Sequence, residues 1–298
     1  MLLWMQFVHD LDAMARMRLA QHGYQDRDND SAMRRFALLC THTERLIPEQ
    51  KYTVHISREL SQRQLANDNR RALDEIKQRL EDGLSLRPYL SRRVQAPETV
   101  DGLFLSWGIL HLHLNPIATQ DEDGFVSRKR GGKTVLLMLR IQQNQAYLID
   151  IEFHSDPNLF VNTRFLEIVD RNWPELHMAP NGITGHQLSP EQIRALRSKN
   201  ANYSIALENR TIFTNIMSAA GIPMEIQYQY DALCIELENV ERDVRRRFYE
   251  YFPFSLSATP TRPWIQRVKL VGIEDDFFIL RNQTTQRECW ARRAHANR

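Results

Sequence analysis

"KTVLLMLRIQQNQAYLIDIEFH", residues 133–154, reads as two strands and a tight turn. Both flanks are rich in β-branched, aromatic and apolar residues, and the four-residue QQNQ between VLLMLRI and AYLIDIEFH has hairpin length. Asn144 is the residue there most tolerant of a left-handed conformation. Side chains alternate along a strand, so Tyr147, Ile149, Ile151 and Phe153 are expected on one face and Asp150, Glu152 and His154 on the other. Upstream, "DGLFLSWGILHLHLN" (101–115) has the same strand-like character, separated from the hairpin by the polar loop "PIATQDEDGFVSRKRGGK". In that strand His111 and His113 leave one face while Leu110, Leu112 and Leu114 leave the other and take the core.

Outward from this β-rich centre the pattern turns helical. Leu3, Phe7, Leu11, Met14 and Leu19 recur at helical spacing before Gly23, and Ser31 is placed to cap a helix carrying Met33, Phe36, Leu39 and Cys40. Leu65, Leu73, Ile76 and Leu80 mark a further helix ended by Gly83, after the short β-branched piece YTVHIS. Beyond the hairpin, NTRFLEIVDRNW reads as a helix ended by Pro174. Ser189, Pro190 and Gln192 then occupy the N-cap, first-turn and capping-box positions of another. A longer helix carries Leu233, Leu237, Val240, Val244 and Phe248, and WIQRVKLVGIEDDFFILRNQ reads as a closing hairpin with Glu274 and Asp275 in its turn. The expected fold is α+β: a helical N-terminal segment (1–95), a central antiparallel sheet forming the active-site core (96–180) and a C-terminal α+β section (181–298).

At 298 residues the chain is long enough for a substantial core, and its net charge of +2 supplies no global field to steer it toward polyanions. Any phosphate site must come from a local cluster of Lys and Arg. Cys40, Cys234 and Cys289 are isolated thiols without CxxC spacing, which argues against a disulfide framework or a thiolate zinc site and for a reducing, cytoplasmic setting. The first residues begin apolar, but Asp10, Asp12, Arg16 and Arg18 interrupt them, so neither a signal peptide nor a membrane anchor is expected.

The chemistry-bearing residues gather around the central strands. His111, His113, His154 and Glu152 are the catalytic candidates, because two strands would pool three imidazoles with Asp150 and Glu152 on a single face. Arg128, Arg130 and Lys133 in the Gly-containing loop, with Lys129 beside them and Arg140 in the hairpin, are the candidate phosphate binders. A neutral histidine can take a proton from a ribose 2′-hydroxyl, a protonated one can deliver a proton to the leaving oxygen, and arginine can stabilise the charge between. That chemistry needs no cofactor. The same three histidines, His111, His113 and His154, also have the spacing of a zinc site with Asp150 or Glu152 orienting a ligand, although the neighbouring cations raise the cost of binding a divalent metal. Taken alone, the His111/His113 pair is equally the polar face of a structural strand. Arg245, Arg246 and Arg247 read as a solvated helix face, Trp107, Trp173 and Trp264 as core, and CWARRAHANR as a frayed basic tail.

The stretch LLMLRIQQNQAYLIDIEFH, with Arg140 in one strand and His154 closing the other, resembles the core hairpin of the small RelE and HigB-type ribonuclease toxins. The resemblance is confined to this hairpin and the loop before it, and HLHL has no counterpart there. It implies metal-independent cleavage of RNA with Arg and His at the site. The expected function is accordingly a metal-independent endoribonuclease with RNA as partner. The alternatives are a zinc-dependent hydrolase on the same histidines, or a non-catalytic module that meets a protein partner in a bacterial defence or toxin–antitoxin system.

Overall fold

Regular structure begins with a strand where the apolar spacing predicts a helix. The computed structural model describes residues 2–126, 134–180, 182–253 and 265–294. In chain order the elements are β1 (Leu2–Trp4), α1 (Phe7–Gln21), α2 (Ala32–Arg45), β2 (Thr53–Ile56), α3 (Arg58–Ser61), α4 (Asn67–Asp82), α5 (Gly102–Trp107), β3 (Ile109–His113), β4 (Val135–Gln142), β5 (Gln145–Phe153), α6 (Arg164–Asn172), α7 (Pro190–Ser198), β6 (Ser204–Ala206), β7 (Thr211–Phe213), α8 (Met224–Arg246), α9 (Phe248–Tyr251), β8 (Ile265–Glu274), β9 (Phe277–Asn282) and β10 (Glu288–Arg292). The fold is α+β. Among the described residues no helix is long and apolar enough to cross a membrane, and the three cysteines are free thiols.

Contacts divide the chain into two compact units, Cys40–Met224 and a second that joins Met1–Leu39 to Glu225–Arg298. In the first, the sheet runs β2-β5-β4-β3, antiparallel across β3, β4 and β5 with β2 added parallel to β5. The helical front of the chain thus lends a strand to a sheet expected to be purely antiparallel. Leu110, Leu112, Leu137, Leu139 and Leu148 pack against Leu73, Ile76 and Leu80 of α4. The opposite face is covered too, with Leu136, Met138 and Ile149 against Phe165, Ile168 and Val169 of α6. A sheet buried on both faces needs apolar residues at successive positions, which is why VLLML shows no alternation.

Three local features depart from the sequence expectation. First, DGLFLSW forms helix α5 and not strand: Asp101 caps it, accepting from the backbone N–H of Leu103 and Phe104, both at 3.1 Å. Gly108 then ends it at φ +67°, a left-handed conformation that favours glycine. Second, the hairpin turn places the positive φ on Gln143 (55°) and not on Asn144. Third, β4 and β5 pair Met138 with Asp150 but Leu139 with Leu148, so Ile149 is an extra, bulged residue. The bulge moves Tyr147 and Ile149 onto the same face as Asp150 and Glu152, whereas strict alternation would set them apart.

In the second unit β1 lies parallel to β8, followed by antiparallel β9 and β10. Phe7 and Leu11 of α1 join Leu237 and Val244 of α8 and Phe278 and Leu280 of β9 in its core. Residues 2–4 are strand because an edge of β8 is open to them, a partner local spacing does not reveal. For the same reason the start of CWARRAHANR is paired, as β10 on β9, and not frayed. The long helix stops at Arg246, and Phe248 belongs to the short turn α9.

Candidate functional site

The strand β3 enters the sheet directly from Gly108, so α5 and β3 are set at a fixed angle and His111 comes under the α5 N-terminus. Asp101, whose Oδ1 caps that helix, holds its Oδ2 3.8 Å from Nδ1 of His111. One carboxylate therefore fixes a helix end and lies beside an imidazole. His113, two residues on, is 4% exposed and lies beneath the surface.

β3 and β5 are not neighbours, since β4 runs between them. His154 nevertheless reaches the histidine pair from the end of β5, where its backbone N–H donates to the Thr134 carbonyl at 2.8 Å. Its ring lies nearly parallel to that of His113, with centroids 6.4 Å apart, and His113 is 6.3 Å from His111. Phe160 meets both outer rings edge-on, at 5.4 Å from His111 and 6.2 Å from His154. The three predicted imidazoles are thus brought together.

His111 and His154 line a cavity of about 450 Å³ that also takes in Asp101, Phe160, Arg45, Arg93 and Arg197. Arg45 at the end of α2 is buried, and its Nη2 donates to the carbonyls of Pro97 (2.9 Å) and Ala96 (3.3 Å). Arg197, in the last turn of α7, lies over the Trp107 ring at 4.2 Å, donates from Nε to the Tyr203 hydroxyl at 3.2 Å and from Nη1 to the Phe160 carbonyl. Its Nη2 is buried with no hydrogen-bond partner among the described residues. Burial lowers the pKa of both guanidiniums, opposed in each case by the Asp101 charge among others. A buried donor with no acceptor costs free energy that an incoming oxyanion recovers. These arginines come from α2, the segment before α5, and α7, remote in sequence from the histidines, and no motif marks them.

The other sequence-derived candidates lie elsewhere. Glu152 stays on the histidine face but sits 3.8 Å from Arg164, which also pairs with Asp150. Asp150 itself is fully buried and held by Arg63 at 3.0 Å, so it serves the fold. Arg140 is placed at the far end of β4, opposite Ile109 and Tyr147 and against Gly108, and not with His154. There its charge, after burial, helps push His177 down to about 4. Arg128, Lys129, Arg130 and Lys133 lie outside the described residues. Among the described residues no three His, Cys, Asp or Glu side chains are grouped to hold a metal ion.

Fold and site together define an α+β protein with a histidine- and arginine-lined cavity suited to an anion. Comparison with protein-family models, with curated proteins and with solved structures finds no match in any of the three.

Proposed function

We propose that the cavity of the Cys40–Met224 unit binds a phosphodiester of RNA and cleaves it without a metal. The observation that carries this reading is that His111 and His154 share one cavity with three arginines, one of which has a buried donor without an acceptor. In this scheme one neutral imidazole removes the ribose 2′-hydroxyl proton. The 2′-oxygen attacks phosphorus, and the other imidazole, protonated, gives its proton to the departing 5′-oxygen, leaving a 2′,3′-cyclic phosphate. Arg197 and Arg93 hold the non-bridging oxygens, with Arg45 behind them. In this scheme His111, which stands 3.8 Å from the Asp101 carboxylate, takes the acid role and His154 the base role. His113 packs against both rings and holds them in place.

The test is cleavage of a labelled single-stranded RNA, with and without EDTA. Cleavage that survives EDTA, yields a cyclic phosphate and falls at least about a hundredfold in His111→Ala and in His154→Ala is the expected result. Loss of cleavage in EDTA would transfer the chemistry to a metal. Full activity in both variants would sink the reading.

A further inference from the structure

The outer face of the β1-β8-β9-β10 sheet carries a second, separate feature. Its inner face is filled by Val268, Leu270, Phe278, Leu280 and Ala291, so the alternate residues of the same strands point away from the core. Those residues mix charged side chains with exposed rings and aliphatic groups. Trp4 on β1 is 49% exposed and Trp290 on β10 is 54% exposed, each far more than a packed indole. Phe277 sets its ring against Trp290 at 5.7 Å, and Ile279 stands directly opposite Trp290 in register.

Cations are interleaved with these rings. Arg267 lies over the Trp4 ring at 5.2 Å, exposed Lys269 follows it on β8, and Arg292 stands opposite Phe277 on β10. Of the acidic residues on the face, Glu288 is already tied to Arg281 at 2.8 Å, and Glu274 sits at the strand end. The balance of free charge is positive although the chain as a whole carries only +2. Gly272, in register with Ile279, makes room for that side chain, whose Cδ1 would lie 3.0 Å from a Cβ at this position.

We infer that this sheet face binds single-stranded nucleic acid, its exposed indoles stacking on bases and Arg267, Lys269 and Arg292 meeting phosphates. Bases offer π-faces to aromatic rings whatever their sequence, and strands of a sheet hold rings at fixed spacing. Trp4 and Trp290 stand on the two outer strands of the sheet, roughly 20 Å apart by strand spacing and rise, a span of a few nucleotides. An acidic peptide would satisfy the cations but leave the two indoles without a use, and a self-associating face would place like charges against each other. Duplex RNA, with its bases stacked inside, offers the rings nothing. Binding here does not depend on the cavity chemistry.

The experiment uses the full chain carrying His111→Ala and His154→Ala, so that the RNA stays intact whether or not the cavity cleaves it. Anisotropy of a fluorescein-labelled single-stranded 12-mer is titrated against this protein and against versions that add Trp4→Ala or Trp290→Ala. Each tryptophan loss is expected to weaken binding about tenfold, Trp290→Phe to retain most of the affinity, and the duplex of the same sequence to bind more weakly. Arg267→Gln and Lys269→Gln are each expected to reduce the slope of log affinity against log salt by about one. Absence of saturable binding, equal binding by all versions, or a dimer in sizing experiments that Trp290→Ala abolishes would overturn the inference.

Discussion

His177 reports on its surroundings through pH. Burial foremost, then the Arg140 charge, holds it down to about 4 against the pull of Asp170 at 3.5 Å. An ordinary imidazole titrates near about 6.5, so below that pH the unfolded chain accepts a proton that the folded chain refuses until about 4. The stability this residue provides is therefore complete above roughly pH 6.5 and lost as pH falls through about 4, on the order of 3 kcal/mol in all. Denaturant titrations of His177→Gln across that window are expected to show a flatter acid limb than the parent. Asp150 gives a complementary case: its buried carboxylate is shared by Arg63 and Arg164, which are 39% and 37% exposed. Removing either arginine leaves the other in place, whereas the double replacement strands a buried charge. The double variant is expected to lose more than the sum of the singles, by about 1 kcal/mol or more in a thermodynamic cycle. At this scale the sequence was informative about His111, His113 and His154, because the two-residue period sends them to one side of a sheet. It was silent about Asp101, Arg45 and Arg197, since residues far apart in the chain carry no local sign that they will share a cavity.

Elements were legible wherever a period or a cap stood in the chain. The Ser189 capping box is present as read, with Ser189 accepting from the Gln192 backbone and the Gln192 side chain returning the bond. The α4 helix likewise ends at Gly83 in a left-handed conformation. DGLFLSW misleads because six residues are too few to show a helical period, and only the Asp101 cap and the Gly108 exit distinguish it from a strand. Gly108→Ala puts a Cβ into left-handed backbone at that exit and is expected to lower stability by about 1 kcal/mol in urea unfolding. The opposite change is expected at the hairpin, where Gln143→Gly relieves a positive φ and should leave stability equal or raise it by up to about 1 kcal/mol. The bulge at Ile149 has no sequence mark. It is set by what Met138 and Leu139 meet across the ladder, and so the facing of Tyr147 escaped the alternation rule.

Across the whole molecule, reading the chain in order yields consecutive segments, while contacts tie Met1–Leu39 to Glu225–Arg298, and Cys40–Met224, which lies between them in sequence, forms a unit of its own. Long-range pairing of this kind is invisible to local pattern, and β1 and β10 owe their existence to it. A chain beginning at residue 40 loses Phe7 and Leu11 from the core they share with Phe278 and Leu280. In hydrogen exchange its residues 265–292 are expected to lose protection while residues 135–153 keep theirs. The parallel β1–β8 pair also has a bearing on how the protein is made. A ribosome delivers Leu2–Trp4 and α1 long before β8, so at roughly 5–20 residues per second α1 waits on the order of ten to fifty seconds for its partner strands. During that interval the apolar side of α1 is bare while residues 40–224 already have every strand of their own sheet. Residues 2–21 are therefore a stretch of the newborn chain that a chaperone has reason to hold.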